Sequence, residues 1–194
     1  MVRLLAGLII AATCGGALTI AQQTNAFPHT SRNGRATPEY SFGGVHVVAN
    51  YDYSQRNHAG AWLLLDVAMA SRERFVLHID HVKVVTPQGR AIPVASQPMI
   101  INDSGAITQL LQNAKINRQS LITYFSQRDY VEKITFQSFP IGGGIKSDEA
   151  VVDNDRVATG GMLFKNPDGK WPEGTYRLEI TNEVAKAALP INLQ

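Results

Sequence analysis

Apolar positions along this chain fall mostly in alternation. Val45, Val47, Ala49 and Tyr51 alternate with His46, Val48, Asn50 and Asp52, the period of a strand with one dry face. The run AWLLLDVAMA (61–70) is apolar at both parities, with Asp66 as its one charged residue. Such a run predicts a central strand covered on both sides. In SRERFVLHIDHVKVV (71–85), Phe75, Leu77 and Ile79 share one parity, and Val82 and Val84 the other. The phase flips at Asp80-His81, which predicts a bulge, a bend or two short strands. TPQGR (86–90) is turn chemistry, and AIPVA (91–95) returns. Near the end, Asn166-Pro167-Asp168-Gly169 and Trp171-Pro172-Glu173-Gly174 make two corners. Tyr176, Leu178 and Ile180 then alternate with Arg177, Glu179 and Thr181. AALPINL (187–193) predicts a closing edge strand, because Pro190 has no N–H for a ladder bond.

The middle of the chain changes period. Asp103 or Ser104 can cap a helix, and Ile107, Leu110, Leu111 and Ala114 follow at helical spacing, as a core-facing stripe. Leu121, Tyr124 and Phe125 fit a second short helix, while SLITYF (120–125) fits a strand equally well. VEKITFQSF (131–139) predicts a strand with Ile134 and Phe136 in phase, and PIGGGIKSDEAVVDND (140–155) a long polar loop. QQTNAFPHTSRNGRATPEY (22–40) shows no period and predicts a flexible leader. Strands at roughly ten-residue spacing between Gly and Pro turns predict a mainly β, antiparallel sandwich over 41–194. A helical insertion interrupts it at about 103–128.

The first residues change the setting. Arg3 followed by a short apolar run to Ala12 predicts a signal peptide over 1–21, with Thr24-Asn25-Ala26 as an alternative exit. Cys14 is the only cysteine. Ala11 and Thr13 fit a lipoprotein cleavage site poorly, so anchoring through Cys14 is not expected. The mature chain then holds no thiol, no disulfide and no thiolate metal site. Removing Arg3 takes the formal charge from +2 to +1. That balance favours neither nucleic acid nor an anionic membrane. No later run is long enough to span a membrane.

Two stretches carry a resemblance. RFVLHIDHVKVVTPQGRAIPV (74–94) resembles a hairpin of bacterial extracytoplasmic immunoglobulin-like modules, and GGMLFKNPDGKWPEGTYRLEI (160–180) resembles their terminal hairpin. The resemblance implies an immunoglobulin-like sandwich and an accessory, adhesive or assembly role. In this reading Trp171 caps one end of the core.

Candidate chemistry is sparse. His78, Asp80 and His81 sit at the phase flip, and two imidazoles with a carboxylate are a possible zinc set or a tuned general base, with His46 or His58 as further members. Asp148, Glu149, Asp153 and Asp155 are a candidate calcium loop without the Gly and closing Glu of a helix-loop-helix site. Gly142 to Ser147 has Ile145 where a phosphate loop needs Gly. No G-x-S-x-G occurs. The expected function is a non-catalytic, periplasmic or secreted binding or assembly module. It takes a protein partner in the cell envelope and needs no cofactor. The alternatives are a metal-binding protein or metal-assisted enzyme built on His78, Asp80 and His81, and a carbohydrate-binding module using Trp62, Trp171 or exposed tyrosines.

Overall fold

The computed structural model describes residues 27–116, 119–125, 130–138 and 144–194. The predicted signal segment and Gly142–Gly143 lie outside them. The chain is mainly β, with several antiparallel sheets. In order, the elements are β1 (Thr30–Asn33), β2 (Thr37–Phe42), β3 (Val45–Asn50), α1 (Asp52–Arg56), β4 (Trp62–Ser71), β5 (Phe75–His78), β6 (Val82–Val85), β7 (Ala91–Pro93), α2 (Gln97–Asn102), α3 (Ser104–Lys115), β8 (Tyr130–Lys133), β9 (Glu149–Val152), β10 (Arg156–Lys165), β11 (Gly174–Thr181) and β12 (Lys186–Leu193). Single 3-10 turns occupy Ile79–His81 and Leu121–Tyr124.

Three sheets result. A six-stranded sheet runs β1-β2-β3-β4-β10-β8, a four-stranded sheet runs β12-β11-β6-β7, and β5 pairs with β9. All pairs are antiparallel except β8 with β10, which is a departure from the purely antiparallel expectation. The two larger sheets share one core. Leu63, Leu65, Val67 and Met69 of β4 meet Tyr176, Leu178 and Ile180 of β11 and Leu189 and Ile191 of β12 there. For β11 this is the parity that alternation assigned to the dry face. Trp171 is buried at the end of this core. Its indole N–H donates to Ala61 O at 2.9 Å, and its ring meets Tyr176 edge-on at 5.3 Å.

The phase flip is a change of sheet. β5 belongs to the two-stranded sheet and β6 to the four-stranded one, with the Ile79–His81 turn between them. Pro190 lies in β12, an edge strand as expected.

Three segments differ from expectation. The supposed leader, where described, carries β1 and β2, and Ala36, Thr37 and Tyr40 are buried. The loop at 140–155 contains β9, whose Ala150 and Val152 pair with Leu77 and Phe75 in the core. The strand expected over 131–139 stops at Lys133. Ile134 and Phe136 still enter the core, but the backbone crosses the edge of β10 instead of following it. Gly160 permits this crossing: a Cβ there would lie 2.5 Å from Ile134 O. Beyond it, Gln137 stands in for a strand. Its amide donates to Ala95 O (2.8 Å) and Leu163 O (3.0 Å) and accepts from Leu163 N–H (2.9 Å).

The outer face of the six-stranded sheet is covered in two patches. α2 and α3 pack Ile100, Ile107 and Ala114 on Trp62, Leu64 and Leu163. Leu121 and Phe125 pack on Val48, Ala68, Ala70 and Val157. The helical insertion is therefore a third layer on this sheet.

Candidate functional site

Between the two patches the described residues leave a cleft in the outer face. Alternation explains where. On its outer parity β4 presents Trp62, Leu64, Asp66, Ala68 and Ala70, and β10 presents Val157, Thr159, Gly161 and Leu163. The apolar members at each end, large at one and small at the other, carry the cover. The middle of each strand offers a charge, a hydroxyl or no side chain, and register sets Gly161 directly beside Asp66 and Thr159 beside Ala68. A packed apolar side chain gains nothing on such ground.

The result is a cleft of about 1180 Å³, somewhat above the roughly 300–1,000 Å³ usual for ligand pockets. Asp66, Thr159 and Gly161 form its floor. One wall is α3, through Ile107, Thr108, Leu111 and Lys115; the other is Lys133, Ile134, Thr135, Gln137 and Ser138. Gln119 to Ile122 close one end, and Ile145 stands at the mouth, 88% exposed. Among the described residues that line it, none is aromatic. Thr159 donates its hydroxyl to Val67 O at 3.2 Å, and Asp66 is half-buried and engaged within the chain. A second, smaller cavity of about 300 Å³ is polar, lined by Asn33, Thr37, Asn50 and Asp52 among others.

The residues singled out from sequence lie elsewhere. His81 Nδ1 accepts the His78 N–H (3.1 Å), and His78 Nδ1 accepts the Asp80 N–H (3.3 Å). The two rings meet at 66° with centroids 5.9 Å apart, and the Asp80 carboxylate is 84% exposed. Both Nδ1 lone pairs thus cap a 3-10 corner. His46 pairs with Glu39 at 2.7 Å and touches Phe125, while His58 bonds Trp171 O at 2.7 Å. Neither joins the corner. In the acidic loop, Asp153 accepts N–H bonds from Asp155 and Arg156, and Asp148 pairs with Lys146 at 2.6 Å. Among the described residues, no three His, Cys, Asp or Glu side chains are grouped to hold a metal. Trp62 and Trp171 are 7% and 1% exposed, so neither indole offers a face for a sugar.

Asp103 stands at the start of α3, where sequence predicted a cap, but its carboxylate is used otherwise. It accepts from Lys165 at 2.8 Å and from the Trp62 indole at 3.0 Å. Lys165, then the indole, hold its carboxyl below the usual carboxylate range. This ties α3 to β10 and β4 at one end of the cleft.

Sequence reading missed the cleft. The available signals were a lone Asp in a strand apolar on both faces, and Thr159-Gly160-Gly161 in the strand beside it. No family model matches the chain, and neither a curated protein nor a solved structure matches it. No helix among the described residues is long and apolar enough to cross a membrane.

Proposed function

We propose that this chain is a non-catalytic binding module of the cell envelope, exported by its N-terminal segment and built as an immunoglobulin-like sandwich. It binds through the cleft on the outer face of the six-stranded sheet. The observation that supports this reading is the cleft itself, open, walled by α3 and residues 133–138, and floored by small and polar positions. The layer that makes it is the helical insertion by which the chain departs from a plain sandwich. A rigid sheet carrying variable cover is a common arrangement for recognition. The expected protein partner would meet the same surface, where Ile122 and Ile145 line the cleft and are exposed. The metal-assisted alternative gains no support from the corner at His78, Asp80 and His81, where both histidine Nδ1 atoms accept backbone N–H groups.

The test is position-resolved photo-cross-linking in cells that export the full chain. A cross-linker at Thr108 in the cleft wall is compared with one at Lys186, in β12 of the other sheet. Adducts from 108 alone, lost when the cleft is blocked by Leu111→Trp, support the reading. Equal adducts at both positions, or none at 108, overturn it. The mass of the exported product checks removal of about 21 residues.

A further inference from the structure

The cleft has a chemistry more specific than its shape. Its described lining mixes aliphatic side chains, Leu64, Ile107, Leu111, Leu121, Ile122 and Ile145, with neutral polar ones such as Gln112, Gln119, Thr135 and Gln137. The aliphatic members suit a flexible hydrocarbon chain, which is held by burial. Among the described residues, three ionisable side chains line the space: Asp66, Lys115 and Lys133. Asp66 is on the floor and engaged within the protein. Lys115 ends α3, Lys133 ends β8, both are exposed, and neither has an ion-pair partner among the described residues. Among the described residues, Glu132 beside Lys133 pairs with Arg156, and Asp103 pairs with Lys165. Two ammonium groups with no ion-pair partner among the described residues, beside the aliphatic members of the cleft, complement an anion joined to an apolar tail.

We infer that the cleft binds a single-chain aliphatic carboxylate, its hydrocarbon against α3 and Leu121 and its carboxylate at Lys115 and Lys133. This rests on the reading of the cleft as the binding site and adds the ligand class. The tail is held by burial, which weakens with each methylene removed. The head is held by exposed charges, so its share falls with salt.

The purified full chain is titrated calorimetrically with laurate below its micelle concentration, at low ionic strength. Saturable binding of one laurate per chain is expected, roughly tenfold weaker for decanoate. K115Q combined with K133Q is expected to weaken laurate roughly three- to tenfold and to flatten the salt dependence. Both lysines are exposed, so an unchanged Tm certifies the fold. T108W, on an exposed wall position, is expected to remove binding. Absence of saturable binding overturns the inference. So do equal affinity for dodecanol, indifference to both variants, and binding only to phosphatidylglycerol vesicles, which would mark a membrane-facing surface instead. Failure here with the cross-links from 108 retained discards the ligand class and leaves the cleft reading standing; failure of both discards both.

Discussion

The inner and outer faces of the six-stranded sheet are made by the same strands. Inward, β4 presents Leu63, Leu65, Val67 and Met69, none with measurable exposure. Outward, it presents large side chains at one end, Ala68 and Ala70 toward the other, and Asp66 between. The inner face is therefore sealed by a second sheet along its length. Among the described residues the outer face carries two packed patches with a cleft between them. The difference shows that a cleft needs no special loop here. It follows from interrupting the volume and polarity of two neighbouring strands at matched register.

That contrast can be broken from the inside first. Leu65→Ala removes a fully buried side chain between two sheets, and a loss of about 2–5 kcal/mol is expected in urea unfolding. A value below about 1 kcal/mol would mean that the two sheets do not share a tight core. Next come the residues that hold the far wall. Gly160→Val forces a side chain against the Ile134 carbonyl, and Gln137→Ala leaves the Leu163 N–H and the Ala95 carbonyl without their partner. Each is expected to cost about 1–3 kcal/mol. Hydrogen exchange should rise at 134–138 while β11 stays protected; uniform loosening would show that this wall is no separate unit.

Smaller effects follow from acid. Lys165 and the Trp62 indole hold the Asp103 carboxyl low, and Arg90 does the same for Asp168. A carboxyl whose folded pKa is depressed stabilises fully above its unfolded value of about 4 and loses that share as pH falls through the lower folded value. The urea midpoint should fall between pH 5 and pH 3, and Asp103→Asn should reduce part of that fall. An unchanged slope in the variant would remove Asp103 from the account. Smallest of all, Thr108→Ala on the open wall should shift stability by no more than about 0.5 kcal/mol.

Much of the inner face was legible in the chain. Alternation in Val45–Tyr51 and Tyr176–Ile180 assigned faces correctly, and the flip at Asp80-His81 marked the change of sheet. The β1–β2 hairpin was hidden because its buried positions are Ala36, Thr37 and Tyr40 among Gly and Pro, without an aliphatic stripe. β9 is four residues long, too short for a period to show. The cleft was not legible because its floor joins Asp66 to Gly161, residues far apart in sequence that only pairing brings together. The histidines at the corner looked like ligands because composition does not reveal that their Nδ1 atoms face backbone N–H groups.

The most direct test of the central claim is a methyl-resolved NMR titration of the full chain with laurate. The account predicts saturable shifts at Leu111, Ile122 and Ile145 and none at Leu65 or Leu178. Shifts of equal size on both faces, or none on the outer face, would contradict it.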